Sequence, residues 1–149
     1  MPYFTRQVAP NGYLIVPAMV GVSHARRTAL IANKQIVPTP VQVQALIDTG
    51  ATGTCVDPSV LKQLSLSPTG NILVHTPSTA GQPVAADTYD VSLTVHARSG
   101  QLPLSHHTVP VLASHLLAAQ GFHVIIGIDI LKGCMMTYDG ANGLFSLAY

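Results

Sequence analysis

The stretch A-L-I-D-T-G-A-T-G-T, residues 45–54, sets one carboxylate, Asp48, between an apolar run and a cluster of small residues. Upstream, V-Q-V-Q-A-L-I begins in apolar–polar alternation, ends in an apolar run and reads as a strand that delivers Asp48 to its end. Gly50 is expected to make a tight turn at positive φ, and Gly53 follows. The tripeptide D-T-G alone would arise by chance in about 3% of chains of this length. Its setting carries the weight, because an acid placed after a buried strand is presented and not merely exposed.

The rest of the chain limits what that acid can serve. With 149 residues, 48% of them hydrophobic, and no repeat or linker, residues 1–149 read as one globular domain with an ordinary core. Charged residues make up only 9% of the chain and the formal net charge is +1, so no basic field exists to attract nucleic acid or anionic lipid. The N-terminal M-P-Y-F-T-R-Q lacks the features of a secretory signal, and the apolar run at 13–22 is too short to span a bilayer and contains Pro17. A soluble, cytoplasmic protein acting on a protein or small molecule is expected. Cys55 and Cys134 are too few for a disulfide scaffold and read as free, partly buried thiols.

Period-2 patterning dominates, most clearly in Y-D-V-S-L-T-V-H at 89–96. Strands are expected near 13–22, 28–33, 41–48, 71–75, 84–96, 108–113, 123–126, 134–139 and 143–148. Short helices are expected after Asp57, a cap with Pro58 at the first helical position, and within A-S-H-L-L-A-A-Q-G, closed by Gly121. S-H-A-R-R-T at 23–28 reads as a polar connection, T-P-S-T-A-G-Q-P at 76–83 as a hairpin tip, and Y-D-G-A-N-G-L-F at 138–145 as a hairpin turn.

A counterpart to the opening stretch follows some 75 residues later in H-V-I-I-G-I-D-I-L, an apolar strand broken at Gly127 and followed by a helical turn at Asp129 to Leu131. Together, Leu46, Ile47, Asp48, Thr49, Gly50, Ala51 and, downstream, Ile125, Ile126, Gly127 resemble the retropepsin-like aspartic proteases. In that family a strand ending in Asp-Thr/Ser-Gly-Ala packs beside an apolar-apolar-Gly turn. The resemblance covers roughly residues 11–149, and the C-terminal hairpin is similar to that of bacterial-type members. It implies a mainly β fold, a closed antiparallel barrel-like acid-protease domain with one or two short helices.

The resemblance also implies roles. Asp48 would be the catalytic acid; Thr49, which in the family bonds across the dyad, Gly50 and Ala51 would support its loop. Ile125, Ile126 and Gly127 would pack beneath that loop or line substrate pockets, and Thr79, Ala80, Gly81 and Gln82 fall where the family carries a flap. Hydrolysis without a covalent intermediate needs one group to take a proton from water and another to give one to the carbonyl oxygen. Two carboxylates about 3 Å apart provide both, since they cannot both ionise. This chain has one D-T-G and too few residues for two pepsin-like lobes, so the expected enzyme is a homodimeric aspartic endopeptidase cleaving polypeptides, with an optimum below neutral pH. The alternative is a weakly active or inactive domain of the same fold kept for dimerisation or peptide binding.

Other chemistries have weaker signals. His106, His107, His115 and His123 have no carboxylate or cysteine at a ligand spacing, so neither metal nor cofactor is expected. No G-x-S-x-G elbow supports a serine nucleophile, and Cys55 reads as a packed small residue. Asp129 reads as structural, either a helix cap or a brace for an arginine.

Overall fold

The computed structural model describes residues 1–75, 81–97, 100–115 and 118–149. Ten strands and three short helices follow in the order β1 (Tyr3–Gln7), β2 (Ile15–Val22), α1 (His24–Ala32), β3 (Val41–Ile47), β4 (Cys55–Val56), α2 (Pro58–Gln63), β5 (Gly70–Val74), β6 (Val84–Val95), β7 (Leu104–Ala113), β8 (Val124–Ile126), α3 (Ile128–Leu131), β9 (Met135–Asp139) and β10 (Leu144–Ala148). In the larger sheet the order is β2-β3-β8-β4-β7-β6-β5, and β2 also pairs with β6. That last pairing closes six strands into a barrel and leaves β5 outside it, joined to β6 in a hairpin. A second sheet, β1-β10-β9, joins the two ends of the chain.

Alternation places the core. Val91, Leu93 and Val95 of β6 face Val16, Ala18 and Val20 of β2 and Val43, Ala45 and Ile47 of β3 inside the barrel, all nearly free of solvent. Most pairings are antiparallel, as expected, but β3 runs parallel to β8 and β4 parallel to β7. Both exceptions lie at the D-T-G loop, where two strand ends must point the same way.

The expected strand at 28–33 is instead the second half of α1. Ser23 caps it, its hydroxyl accepting from the Arg26 amide at 3.3 Å, and only Leu30 is buried. The apolar run A-L-I-A contains good helix formers, and Ile31 is left 56% exposed, so Leu30 alone of this helix is buried. The polar connection expected at 23–28 is therefore this helix's first turns. The helix expected before Gly121 is reduced, among the described residues, to one 3-10 turn, Ala118–Gln120, with no buried side chain to hold more. β1 and β4 were not expected. β1 depends on a partner at the far end of the chain, with Phe4 packed edge-on against Phe145 at 6.5 Å, and β4 is too short to show a period.

α2 forms as its cap implies. Asp57 Oδ1 accepts from the Ser59 amide at 2.8 Å and from the Ser59 hydroxyl, and Oδ2 from the Ala118 amide at 3.3 Å. Burial acts to raise the Asp57 carboxyl, but these bonds together hold it below its ordinary value of 3.8. A depressed folded value means stability that is present above the unfolded value and lost as pH falls through the folded one. Asp57→Ala should therefore lower stability by about 1 kcal/mol at neutral pH, and the gap to the parent should close as urea melts are taken into acid.

Among the described residues no helix is long and apolar enough to cross a membrane.

Candidate active site

Asp48 sits one residue beyond β3, where its amide donates to the Ile126 carbonyl at 3.0 Å and continues the β3–β8 pairing. The loop then turns back on itself. The Gly50 amide donates to Asp48 Oδ1 at 2.8 Å, and the Ala51 amide reaches the Asp48 carbonyl at 3.3 Å. Gly50 does not adopt the positive φ expected of it. A Cβ there would stand 3.1 Å from Asp48 Oδ1 and press on the carboxylate that the Gly50 amide binds, so the glycine answers to close approach. The carboxylate is half-buried, while Thr49 and Gly50 are exposed beside it.

The floor of the loop is the β8–α3 corner. The Ile128 amide donates to the Ala51 carbonyl at 2.8 Å, and a Cβ on Gly127 would lie 2.7 Å from the backbone carbon and oxygen of Gly53 and 2.9 Å from Ala51 O. Gly127 is extended, with φ −93°, so close approach and not turn geometry explains the glycine. Ile126 points into the core and Ile125 is half-buried on the other face of β8, against the cleft.

A buried polar knot locks these two segments together. Thr54, only 1% exposed, donates from its hydroxyl to Asp129 Oδ1 at 2.9 Å and from its amide to Oδ2 at 3.0 Å. The same hydroxyl accepts from the Gly127 amide at 3.3 Å. Asp129 is thus the brace it was read as, but its partner is Thr54 and not an arginine. Thr54 was missed by the sequence reading, although it closes the opening stretch; a threonine after G-A-T-G, in line for β4, was the available signal. Thr54→Val keeps the shape and the amide bond to Oδ2 but removes the donor to Asp129 Oδ1 and the acceptor for the Gly127 amide, and should cost about 1–3 kcal/mol, read as a lower urea midpoint.

Above the loop lies an open cleft of about 870 Å³. Its walls are Ile72, Leu73 and Val74 of β5, Val111 and Leu112 of β7, and Ile125, with Asp48 the only carboxylate among the described lining residues. A second depression of about 380 Å³, on the other side of Asp48, is lined by Tyr13, Leu14, Phe122 and Ile125. Asp48 thus stands between a mainly apolar cleft and a smaller recess of mixed polarity. Of the flap candidates, Thr79 and Ala80 lie outside the described residues. Gly81, at φ +80°, and Gln82 belong to the connection between β5 and β6, the hairpin that overhangs the cleft with its β5 arm.

Cys55 also lines the cleft. Burial first, and then the charges of Asp129 and Asp48, push its thiol above the ordinary range, so it stays protonated and is a poor nucleophile at neutral pH. Among the described residues no three histidine, cysteine or acidic side chains converge as a metal site.

A sequence model described as "Aspartyl protease" matches residues 31–130, about two-thirds of the chain, and spans both the D-T-G loop and the β8–α3 corner. The chain belongs to this aspartyl protease family. Its fold is retropepsin-like. The crystal structure of a retropepsin-like aspartic protease from Rickettsia conorii superposes with a TM-score of 0.59 at 14% identity, over 99% of this chain and 90% of that one. At that identity the likeness speaks for the fold. A comparison with curated protein sequences finds no match.

Proposed function

We propose that the protein is an aspartic endopeptidase that works as a homodimer, with Asp48 of each copy meeting at a twofold axis. The observation that carries this reading is the placement of one carboxylate, held among the described residues by one in-chain donor, between a mainly apolar cleft and a second recess, with no second acid among the described residues that line either. A lone acid cannot both take and give a proton in one step. A second copy supplies the missing group.

In the dimer, the ionised member of the pair removes a proton from a water held between the two, and that water's oxygen attacks the scissile carbonyl carbon. The protonated member hydrogen-bonds the carbonyl oxygen and transfers its proton as the tetrahedral diol forms. Collapse breaks the C–N bond, with a proton passing to the leaving amine, and returns a carboxylate pair that shares one proton. Thr49, exposed beside Asp48, would bond across the axis, and Gly50 and Ala51 would keep the floor small. Ile125 and the β5 side chains would receive apolar residues of an extended peptide, and the segment holding Thr79, Ala80, Gly81 and Gln82 would close over it.

The test is dilution. Far below the dissociation constant, the dimer fraction falls in proportion to concentration, so cleavage of a peptide library per chain should drop about tenfold for each tenfold dilution. Cleavage per chain that stays constant down to nanomolar protein, with a monomer in sedimentation, would sink the two-chain mechanism.

A further inference from the structure

Residues 135–138 of β9, M-M-T-Y, are exposed without a break, with Met135 63%, Met136 37% and Tyr138 58% accessible. β9 is an edge strand, paired only with β10. Among the described residues, no hydrogen bond reaches the backbone of 135–138 beyond that pairing. An edge of this kind is a template for another strand, and proteins that leave one open usually blunt it with lysine, proline or a bulge. Between Met135 and Tyr138 there is none of these.

The inner face of the small sheet adds to the case. Met136 stands opposite Leu147 and Tyr138 opposite Phe145, and both of those partners are buried against the core. The apolar face therefore runs on past β10 and ends uncovered on β9. Meanwhile β1 and β10, the two ends of the chain, are already paired with each other within one copy and are not free to interleave with a neighbour.

We infer that the β9 edge is the surface on which a second copy docks, β9 against β9 in antiparallel fashion about a twofold axis, and that this joins the two small sheets into one of six strands. The inference rests on the two-chain reading above and names the surface that reading leaves open. Charge selects the occupant and its direction. Exposed Lys132 closes α3 ahead of β9, and Asp139 ends β9 with its carboxylate accepting from the Asn142 amide and side chain; an antiparallel partner sets each Lys132 towards the negative end of the partner's strand, whereas a parallel one sets like against like. An interface repeated by its own twofold needs such a self-complementary strand. The link to the site is short, since β9 follows directly on α3 and the Gly127 corner beneath Asp48.

The experiment is sedimentation equilibrium on the full chain, in parallel with peptide cleavage, for the parent and for Met135→Lys/Tyr138→Lys. Both side chains are more than half exposed, so the variant should melt like the parent. Its dissociation constant should rise at least about tenfold, with cleavage lost at low concentration and recovered at high. Single cysteines, M135C, M136C and T137C in a C55S/C134S background, should give an oxidised dimer that peaks at the position nearest the axis, while I36C on the α1–β3 connection should not. A parent dimer that cleaves, is indifferent to the lysines and does not cross-link through β9 overturns this surface and leaves the two-chain enzyme standing. A dimer through β9 that never cleaves leaves the surface standing and overturns the enzyme. A monomer that cleaves overturns both.

Discussion

Asp48→Asn should abolish peptide cleavage, with kcat/KM at least about 10²- to 10⁴-fold below the parent, while the protein keeps its melting temperature and its dimer. The asparagine keeps an oxygen to accept from the Gly50 amide, so the loop has no reason to open. What it loses is the ability to hold or release a proton, and in the dimer it removes both members of the pair at once. The measurement pairs a cleavage assay with thermal melting and sedimentation. Full activity in purified Asp48→Asn protein would falsify the aspartic mechanism outright, and loss of fold together with activity would mean that the loop, and not the chemistry, had been tested.

The second large effect is on stability. Gly127→Ala should lower the folding free energy by about 1–3 kcal/mol or more, because its methyl group would press on the backbone of Gly53 and Ala51 at 2.7–2.9 Å. Backbone cannot swing aside as a side-chain tip can. Relief requires the D-T-G loop to lift from the β8–α3 corner, which strains the Ile128-to-Ala51 bond at 2.8 Å and the Gly127-to-Thr54 bond at 3.3 Å. Gly53→Ala is the control, since a Cβ there meets nothing within 4 Å and its backbone φ is not left-handed. It should stay within about 0.5 kcal/mol of the parent. Urea midpoints with an unchanged slope would separate the two. Equal midpoints for both variants would mean that the corner is looser than its distances imply.

The elements that could be read from sequence were those whose pattern is local. β6 alternates from Tyr89 to Val95, α2 carries its own cap and proline, and the β9–β10 turn has its Asp, Asn and glycines. The misread segment, 28–33, fails for a matching reason: four apolar residues in a row satisfy a buried strand or one face of a helix equally well, and only the packing of Leu30 decides. β1 has one buried side chain and a partner more than a hundred residues away, so nothing near it in sequence marks it as a strand.

The same division runs through the site. The identity of the acid, its delivery by a strand, and the small residues around it are properties of ten consecutive positions, and the second apolar-apolar-Gly turn can be found by pattern. Why those glycines are needed was decided in three dimensions, where Gly50 admits an amide to a carboxylate and Gly127 admits one backbone to another. Thr54 and Asp129 became a pair only through the β3–β8–β4 arrangement, which brings residues 75 positions apart into bonds of 2.9 and 3.0 Å. The cleft walls come from β5, β7 and β8, three strands with no common motif. Sequence by itself determined the chemistry on offer, because reactivity and backbone freedom belong to single residues and their neighbours. Tertiary structure decided what that chemistry faces, because a cleft, a brace and an open strand edge exist only between segments that the chain brings together from afar.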